Sequence, residues 1–208
     1  MSLKLIVKKI QLRKDKFITR DELKSYSHAL NLTYSAVISY LLANSYLVRI
    51  FRGIFYIKSI EERKLKKIDM DFYTILRRAL EIKGIKNWYF GLGTALKLNK
   101  KTHEYFVVDY LLNDKISRPR LLNIMGHKVK FIKLNQKLFG FGIIKTPTFY
   151  SDVEKTLLDR VYLSQYKGLS REEILAQIKE LKPCCSKLKI KRYIHYYPKT
   201  VKRVVGSD

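Results

Sequence analysis

Along the first 28 residues, apolar side chains recur with the spacing of two short helices. In residues 3–14 the apolar side chains recur every three or four positions and lysines occupy positions between them, as on an amphipathic helix. Thr19 followed by Glu22 has the spacing of a capping box, in which each side chain accepts a hydrogen bond from the other residue's backbone N–H. A second helix is therefore predicted over residues 20–28.

The third predicted helix has one apolar stripe and one small, hydrogen-bonding face. Asn31 or Thr33 can cap this helix, which extends over residues 34–44. Its inward positions are Val37, Ile38, Leu41 and Leu42. A helix that enters the major groove of DNA needs a close-fitting surface with donors and acceptors near its N-terminal end. The side chains expected at base edges or nearby phosphates are Thr33, Tyr34, Ser35 and Ser39, while Tyr40 either shares that face or packs in the core.

A β-hairpin is predicted directly after the third helix. Residues 46–50 and 54–57 are rich in β-branched and aromatic side chains, and Gly53 between them can adopt the positive φ of a tight turn. Three helices followed by a hairpin is the order of elements in a winged helix-turn-helix. Arg49 and Arg52 on this wing would contact phosphates or the adjacent minor groove. The alternatives are a protein-interaction module of the same shape, and an Arg52 that only keeps the turn solvated.

The net charge favours a polyanionic partner. The chain of 208 residues contains 43 Lys and Arg against 18 Asp and Glu, which gives a net charge of +25. Such an imbalance repels itself in a compact fold and is easiest to explain when nucleic acid is bound. Basicity alone does not separate DNA from RNA or from an anionic membrane surface, and a Lys- and Ile-rich proteome also produces it. With 47% hydrophobic residues the chain can bury a sizeable core.

The remaining sequence predicts a second domain, so the expected fold class is α+β. Residues 1–58 form the winged helix-turn-helix, residues 59–70 are a charged linker or the solvated start of a helix, and residues 71–208 form a mixed domain of helices and a small sheet. Its predicted helices cover 72–83, 94–98, 152–166 and 171–181, and its strand-like runs cover 88–90, 105–112, 128–134 and 139–149.

The chain ends in a basic segment that is predicted to be helical. Tyrosines at 193, 196 and 197 alternate with basic residues, so the tail could stack on bases and contact phosphates. The alternative is a helix packed by its tyrosines, with its lysines in solvent. The phosphate contacts expected under the first interpretation are Lys187, Lys189, Lys191, Arg192, Lys202 and Arg203.

Three segments in order resemble the AbiEi antitoxin family of winged-helix transcriptional regulators. The first is FITRDELKSYSHALNLTYSAVISYLLANSYLVRIFRGIFYIKS, which ends in the string typical of the family's hairpin; the others are GLGTALKL at 91–98 and SDVEKTLLD at 151–159. The resemblance implies a regulator that binds double-stranded DNA at its own promoter and, beside a toxin gene, acts as an antitoxin. It implies a nucleotidyltransferase-like toxin as a second partner, and a homodimer on DNA is a further expectation.

No pattern in the sequence predicts catalysis, a metal or a cofactor. Glu104, Asp109 and Asp114 are the one group of carboxylates near a strand, but their spacing does not let them converge. The four histidines, His28, His103, His127 and His195, are scattered. We therefore expect a regulator that is not an enzyme, with an RNA-binding or nuclease-like accessory factor as a further alternative.

Two adjacent cysteines, Cys184 and Cys185, provide no disulfide framework. No apolar run has the length of a membrane span, and the first residues lack the pattern of a secretory signal. These features lead us to expect a cytoplasmic protein without a membrane partner.

Overall fold

The computed structural model describes residues 2–102, 104 and 106–206 as a mixed α and β fold with two sheets. Contacts between residues divide the chain into two compact units. Unit 1 consists of Met1–Lys86 and Ile124–Gly126, and unit 2 consists of Asn87–Asn123 and His127–Asp208. No helix in the described part of the chain is long and apolar enough to cross a membrane.

Unit 1 packs helices on a three-stranded antiparallel sheet. Its helices are α1 (Ser2–Gln11), α2 (Arg20–His28), α3 (Tyr34–Ala43), α4 (Ile60–Lys64) and α5 (Phe72–Ile82). Its strands are β1 (Phe17–Thr19), β2 (Leu47–Phe51) and β3 (Ile54–Ile57), in the spatial order β1-β3-β2. Ile6 and Ile10 of α1, Leu23 of α2, and Val37 and Leu41 of α3 are buried together in its core.

Local sequence patterns account for most of unit 1. Thr19 and Glu22 form the predicted capping box of α2, and the Thr33 side chain caps α3. Gly53 has φ +83° at the turn between β2 and β3, which is strained for residues with a side chain. The sequence analysis did not predict β1. Phe17 of β1 pairs with Tyr56 of β3, a partner that is distant in the sequence.

The segment 59–70, predicted to be a linker or the solvated start of a helix, contains helix α4. Ser59 and Glu62 form a second capping box that starts α4, a spacing the sequence interpretation overlooked. Helix α5 then packs on β2 and β3, so residues 59–86 belong to unit 1. The division between the units therefore falls at residues 86–87, later along the chain than the predicted start of the second domain at 71.

Glu62 is a fully buried carboxylate in unit 1. It accepts hydrogen bonds from the Tyr56 hydroxyl (2.7 Å) and from the backbone N–H groups of Ser59 (2.7 Å) and Asp69 (3.0 Å). Burial alone would raise the pKa of Glu62, but these bonds and the nearby Lys16 outweigh it and lower the pKa below its usual value. The carboxylate thus ties α4 and the segment after it to β3.

We expect Glu62→Gln to lower the free energy of unfolding by about 1–3 kcal/mol at neutral pH, because a charged acceptor of three hydrogen bonds is lost. A carboxyl with a lowered pKa stabilises the fold above its unfolded value, 4.5, and this contribution is lost as the pH falls through the folded value. The difference between wild type and variant should therefore shrink in acid, as measured by urea unfolding at several pH values. A difference that does not depend on pH would contradict this account.

Unit 2 is built on a mixed six-stranded sheet. Its strands are β4 (Trp88–Phe90), β5 (Val108–Asn113), β6 (Leu122–Ile124), β7 (His127–Lys133), β8 (Ile143–Ile144) and β9 (Tyr150–Ser151), in the spatial order β6-β7-β5-β4-β9-β8. β5 is parallel to β7 and antiparallel to β4, and β4 is parallel to β9. Its helices are α6 (Leu92–Leu98), α7 (Val153–Tyr166), α8 (Arg171–Ile178), α9 (Lys187–Tyr193) and α10 (Lys199–Val205).

The sequence predicted most elements of unit 2 and misassigned one. Helix α7 lies within the predicted range 152–166, and helix α8 lies within the predicted range 171–181. The run 139–149 was predicted to be a strand, but only β8 lies inside it, and a short 3₁₀ helix covers Gln136–Phe139. Gly142 has φ +62°, so the backbone turns where an extended strand was expected. Of the strand predicted over 105–112, Tyr105 lies outside the described residues, and β5 begins at Val108.

Candidate nucleic-acid interface

Helix α3 presents an uncharged outer face. Thr33, Ser35 and Ser39 are exposed, as are Ala36 and Ala43. The Thr33 Oγ1 accepts a hydrogen bond from the Ala36 N–H (3.4 Å) and lies 3.4 Å from the Ser35 Oγ. The predicted small-residue face therefore exists, although two of its hydroxyl groups already interact with each other at the start of the helix.

The two tyrosines of α3 are only half-buried. Tyr40 stacks on Tyr46, with ring centroids 6.1 Å apart, so part of its surface serves packing. Tyr34 lies near the N-terminus of α3, with the Arg20 guanidinium carbon 5.5 Å from its ring centroid. Tyr34 thus connects the first turn of α3 with the first residue of α2.

The hairpin places two exposed arginines beside this end of α3. Arg49 lies on β2, with its guanidinium carbon 5.9 Å from the ring centroid of Phe55, and Arg52 lies in the turn. The backbone N–H of Arg20 donates to the carbonyl of Gly53 (2.8 Å), which fixes the start of α2 against the tip of the hairpin.

These elements surround one shallow depression, which we call the arginine cluster. It is lined by Arg20, Tyr34, Arg49, Arg52, Gly53 and Phe55. No acidic side chain lines it, and none of the three guanidinium groups forms an ion pair with a described residue. Three unneutralised cations around an aromatic side chain form a site suited to a phosphate group. The sequence analysis named Arg49 and Arg52 as candidate residues but did not name Arg20. Arg20 is the first residue of α2, and no local sequence pattern shows that the tip of the hairpin packs against it.

The basic tail is folded onto unit 2. Lys189 Nζ lies 3.5 Å from Asp152 Oδ2 and 3.4 Å from Glu154 Oε2, and the Tyr193 hydroxyl donates to Asp152 Oδ2 (3.0 Å). Tyr197 is buried in the core of the unit. Lys189 therefore already pairs with two carboxylates, and its expected contact with phosphate stays a prediction. Lys187, Lys191, Arg192 and Arg203 are exposed, whereas Lys202 is half-buried. The tail matches the alternative of a helix packed by its tyrosines.

Comparison with known proteins shows a similar fold and gives no information on function. No protein-family model and no curated protein matches the chain. Among solved structures, it is similar to the crystal structure of the RV2827C protein from Mycobacterium tuberculosis, with a TM-score of 0.60. The match covers 99% of this chain and 76% of that chain at 12% sequence identity. The likeness is one of fold alone.

The carboxylates considered for metal-dependent chemistry do not converge. Asp109 Oδ2 lies 3.5 Å from His127 Nδ1, Asp114 accepts from the Asn87 amide (2.8 Å), and Glu104 is exposed. His103 lies outside the described residues. Among the residues whose placement is described, no group of three His, Cys, Asp or Glu side chains is arranged to hold a metal ion.

Unit 2 contains a buried polar network that the sequence analysis did not predict. Lys155 and Asp159 on α7 are both fully buried, and Lys155 Nζ lies 3.4 Å from Asp159 Oδ1. Asp159 also accepts from the hydroxyls of Tyr89 (2.8 Å) and Tyr197 (2.7 Å). Burial lowers the pKa of Lys155, although the charge of Asp159 opposes this. Since both charges have a partner within it, the network joins β4, α7 and the tail as a structural element.

Proposed function

We propose that unit 1 contains a winged helix-turn-helix that binds double-stranded DNA, and that the protein is a DNA-binding transcriptional regulator. In this proposal α3 enters the major groove and the β2–β3 hairpin is the wing. The observation that carries the proposal is the arginine cluster, which gathers three unpaired guanidinium groups beside the N-terminus of α3. The net charge of +25 supports the same partner.

The arginine cluster and the outer face of α3 would have different tasks. Arginines bound to phosphates fix the position of a protein on DNA without distinguishing sequences. Bases would be distinguished by α3, which has no charged or amide side chain between Tyr34 and Ala43. The bidentate contacts by which Arg selects guanine and Asn selects adenine therefore cannot come from this helix. Its exposed Ala36, Ser39 and Ala43 offer hydroxyl and methyl groups, which suit contacts with thymine methyls.

The biological role is proposed from the sequence resemblance. An AbiEi-like regulator would bind the DNA upstream of its own gene and repress it. The nucleotidyltransferase-like toxin and the homodimer on DNA stay predictions, as does the absence of catalysis. A toxin-neutralising module that does not need DNA is the competing proposal.

Electrophoretic mobility of duplex DNA separates these proposals. We expect the purified protein to retard the duplex from its own upstream region at a lower concentration than a shuffled duplex of equal composition. Specific sites are typically bound about 10³-fold or more tightly than non-specific DNA. Equal retardation of both duplexes would mean that the protein binds DNA phosphates without distinguishing sequences. Retardation of neither at about 50 mM salt would contradict DNA binding itself.

Replacing thymine by deoxyuridine in the bound duplex tests the proposed role of α3. The substitution removes only the C5-methyl group of thymine. Burying one such group contributes about 0.8 kcal/mol, so we expect the affinity for DNA to fall about fourfold for each methyl group that α3 touches. Fluorescence anisotropy with uracil at single positions would locate these methyl groups, and positions outside the α3 footprint are the matched control. If full replacement leaves the affinity unchanged, α3 does not select thymine methyls.

A further inference from the structure

A second concave site lies within unit 2. It is an open pocket with a volume of about 200 Å³, formed where α6, β5, α7 and α8 meet. Pockets for drug-sized ligands have about 300–1,000 Å³, so this pocket has room only for a smaller molecule. The side chains facing it are of two kinds: apolar ones from Leu92, Phe106 and Leu163, and polar ones that include Tyr110, Arg160, Ser164, Lys167 and Gln177.

Arg160 is the unusual member of this lining. Its side chain is half-buried, and one guanidinium nitrogen, Nη1, donates to the backbone carbonyl of Gln177 (3.2 Å). No described carboxylate lies within the 4.0 Å of an ion pair with it. Burial lowers the pKa of the Arg160 guanidinium, an effect that the charge of exposed Glu104 only partly offsets. The Arg160 guanidinium is therefore partly shielded from water and has no counter-ion among the described residues, so an anion bound beside it would be stabilised.

The surroundings of Arg160 define the kind of anion. Lys167, the residue that caps the C-terminus of α7, is exposed and lines the same pocket. Ser164, between them, donates to the Gln177 side-chain amide oxygen (2.9 Å), which fixes α8 against α7 at the base of the site. The Phe106 ring and the Leu92 and Leu163 side chains supply an apolar wall. A bare inorganic ion would leave this wall uncovered.

We propose that this pocket binds a small organic anion. Its carboxylate or phosphate group pairs with Arg160 and Lys167, and its apolar part packs on Leu92, Phe106 and Leu163. A planar guanidinium has five N–H donors, so Arg160 can bind such a group in bidentate fashion while keeping its bond to Gln177. The proposal does not depend on DNA binding by unit 1.

Nuclear magnetic resonance titration of the full-length protein tests the site. The probes are benzoate and phenyl phosphate, which combine an acidic group with a small apolar body. The controls are benzamide, which lacks the charge, and inorganic phosphate, which lacks the apolar body. We expect at least one probe to shift the backbone amides of Gly93 and Gln177 saturably, and both controls to bind at least about tenfold more weakly. The two probes distinguish a carboxylate ligand from a phosphate ligand. If neither probe shifts these amides saturably at millimolar concentration, the proposal fails.

Arg160→Met is the decisive variant, because it keeps an unbranched apolar side chain and removes the charge. It should lower the affinity for the bound probe at least about tenfold, as expected when a charge-assisted hydrogen bond is removed. Arg171→Met, at the exposed first residue of α8, is the matched control and should bind normally. Equal affinity in wild type and Arg160→Met overturns the proposal. Should Arg160→Met fail to fold, Lys167→Met replaces it, since that side chain is exposed; here too an unchanged affinity overturns the site.

Discussion

Replacing Arg20, Arg49 and Arg52 together by alanine should lower the affinity for every DNA duplex at least about a hundredfold. Each charge-assisted contact with a phosphate contributes roughly 1.5–3 kcal/mol, and the three guanidinium groups lie in one depression without internal ion pairs. The slope of log affinity against log salt concentration should also decrease, by about 0.9 for each phosphate that the variant no longer binds. Fluorescence anisotropy at salt concentrations between about 50 and 200 mM measures both quantities.

A control with the same net charge shows whether position or charge matters. Arg118, Arg120 and Arg171 are exposed residues of unit 2, and their replacement by alanine removes three positive charges elsewhere. We expect this control to change the affinity far less than the variant of the arginine cluster. Equal losses in the two triple variants would mean that DNA responds to total charge alone, and the proposed interface in unit 1 would be wrong.

Asp159→Ala should be among the most destabilising single substitutions in the chain, with a loss of about 3–5 kcal/mol in the free energy of unfolding. The substitution leaves the fully buried Lys155 without its counter-ion. It also removes the acceptor of the Tyr89 and Tyr197 hydroxyls. Because these groups come from β4, α7 and the tail, one substitution weakens three parts of unit 2. Urea unfolding followed by circular dichroism measures the change.

The double variant Lys155→Met, Asp159→Leu distinguishes a charge effect from a packing effect. Removing both charges eliminates the uncompensated lysine, so this variant should recover a large part of the stability that Asp159→Ala removes. A double variant as unstable as the single one would show that the hydroxyl acceptors or the packing dominate. A loss below about 1 kcal/mol in Asp159→Ala itself would contradict the network described above.

Local sequence patterns were sufficient to predict those structural features that depend only on residues close together in the chain. The capping box at Thr19 predicted the start of α2, and Gly53 predicted the turn of the hairpin. In each of these cases the interacting groups lie within a few residues of one another, so spacing and residue type suffice. For the same reason the sequence alone places Arg49 and Arg52 on a hairpin.

Contacts between residues that are distant in the sequence decided the remaining features, which are the members of the arginine cluster and the partners of the charged side chains. Arg20 joins the arginine cluster because its backbone bonds to Gly53, and Lys189 was assigned to phosphates although Asp152 and Glu154 engage it. Glu62 looked like a solvated charge in a linker but is buried against Tyr56.

The sequence by itself thus determined most of the secondary structure of unit 1, apart from β1 and α4, and the positive charge of the whole chain. Only the tertiary structure decided which charges are neutralised inside the protein and which stay unpaired. The physical reason is that the state of a charge depends on burial and on partners that long-range packing brings close.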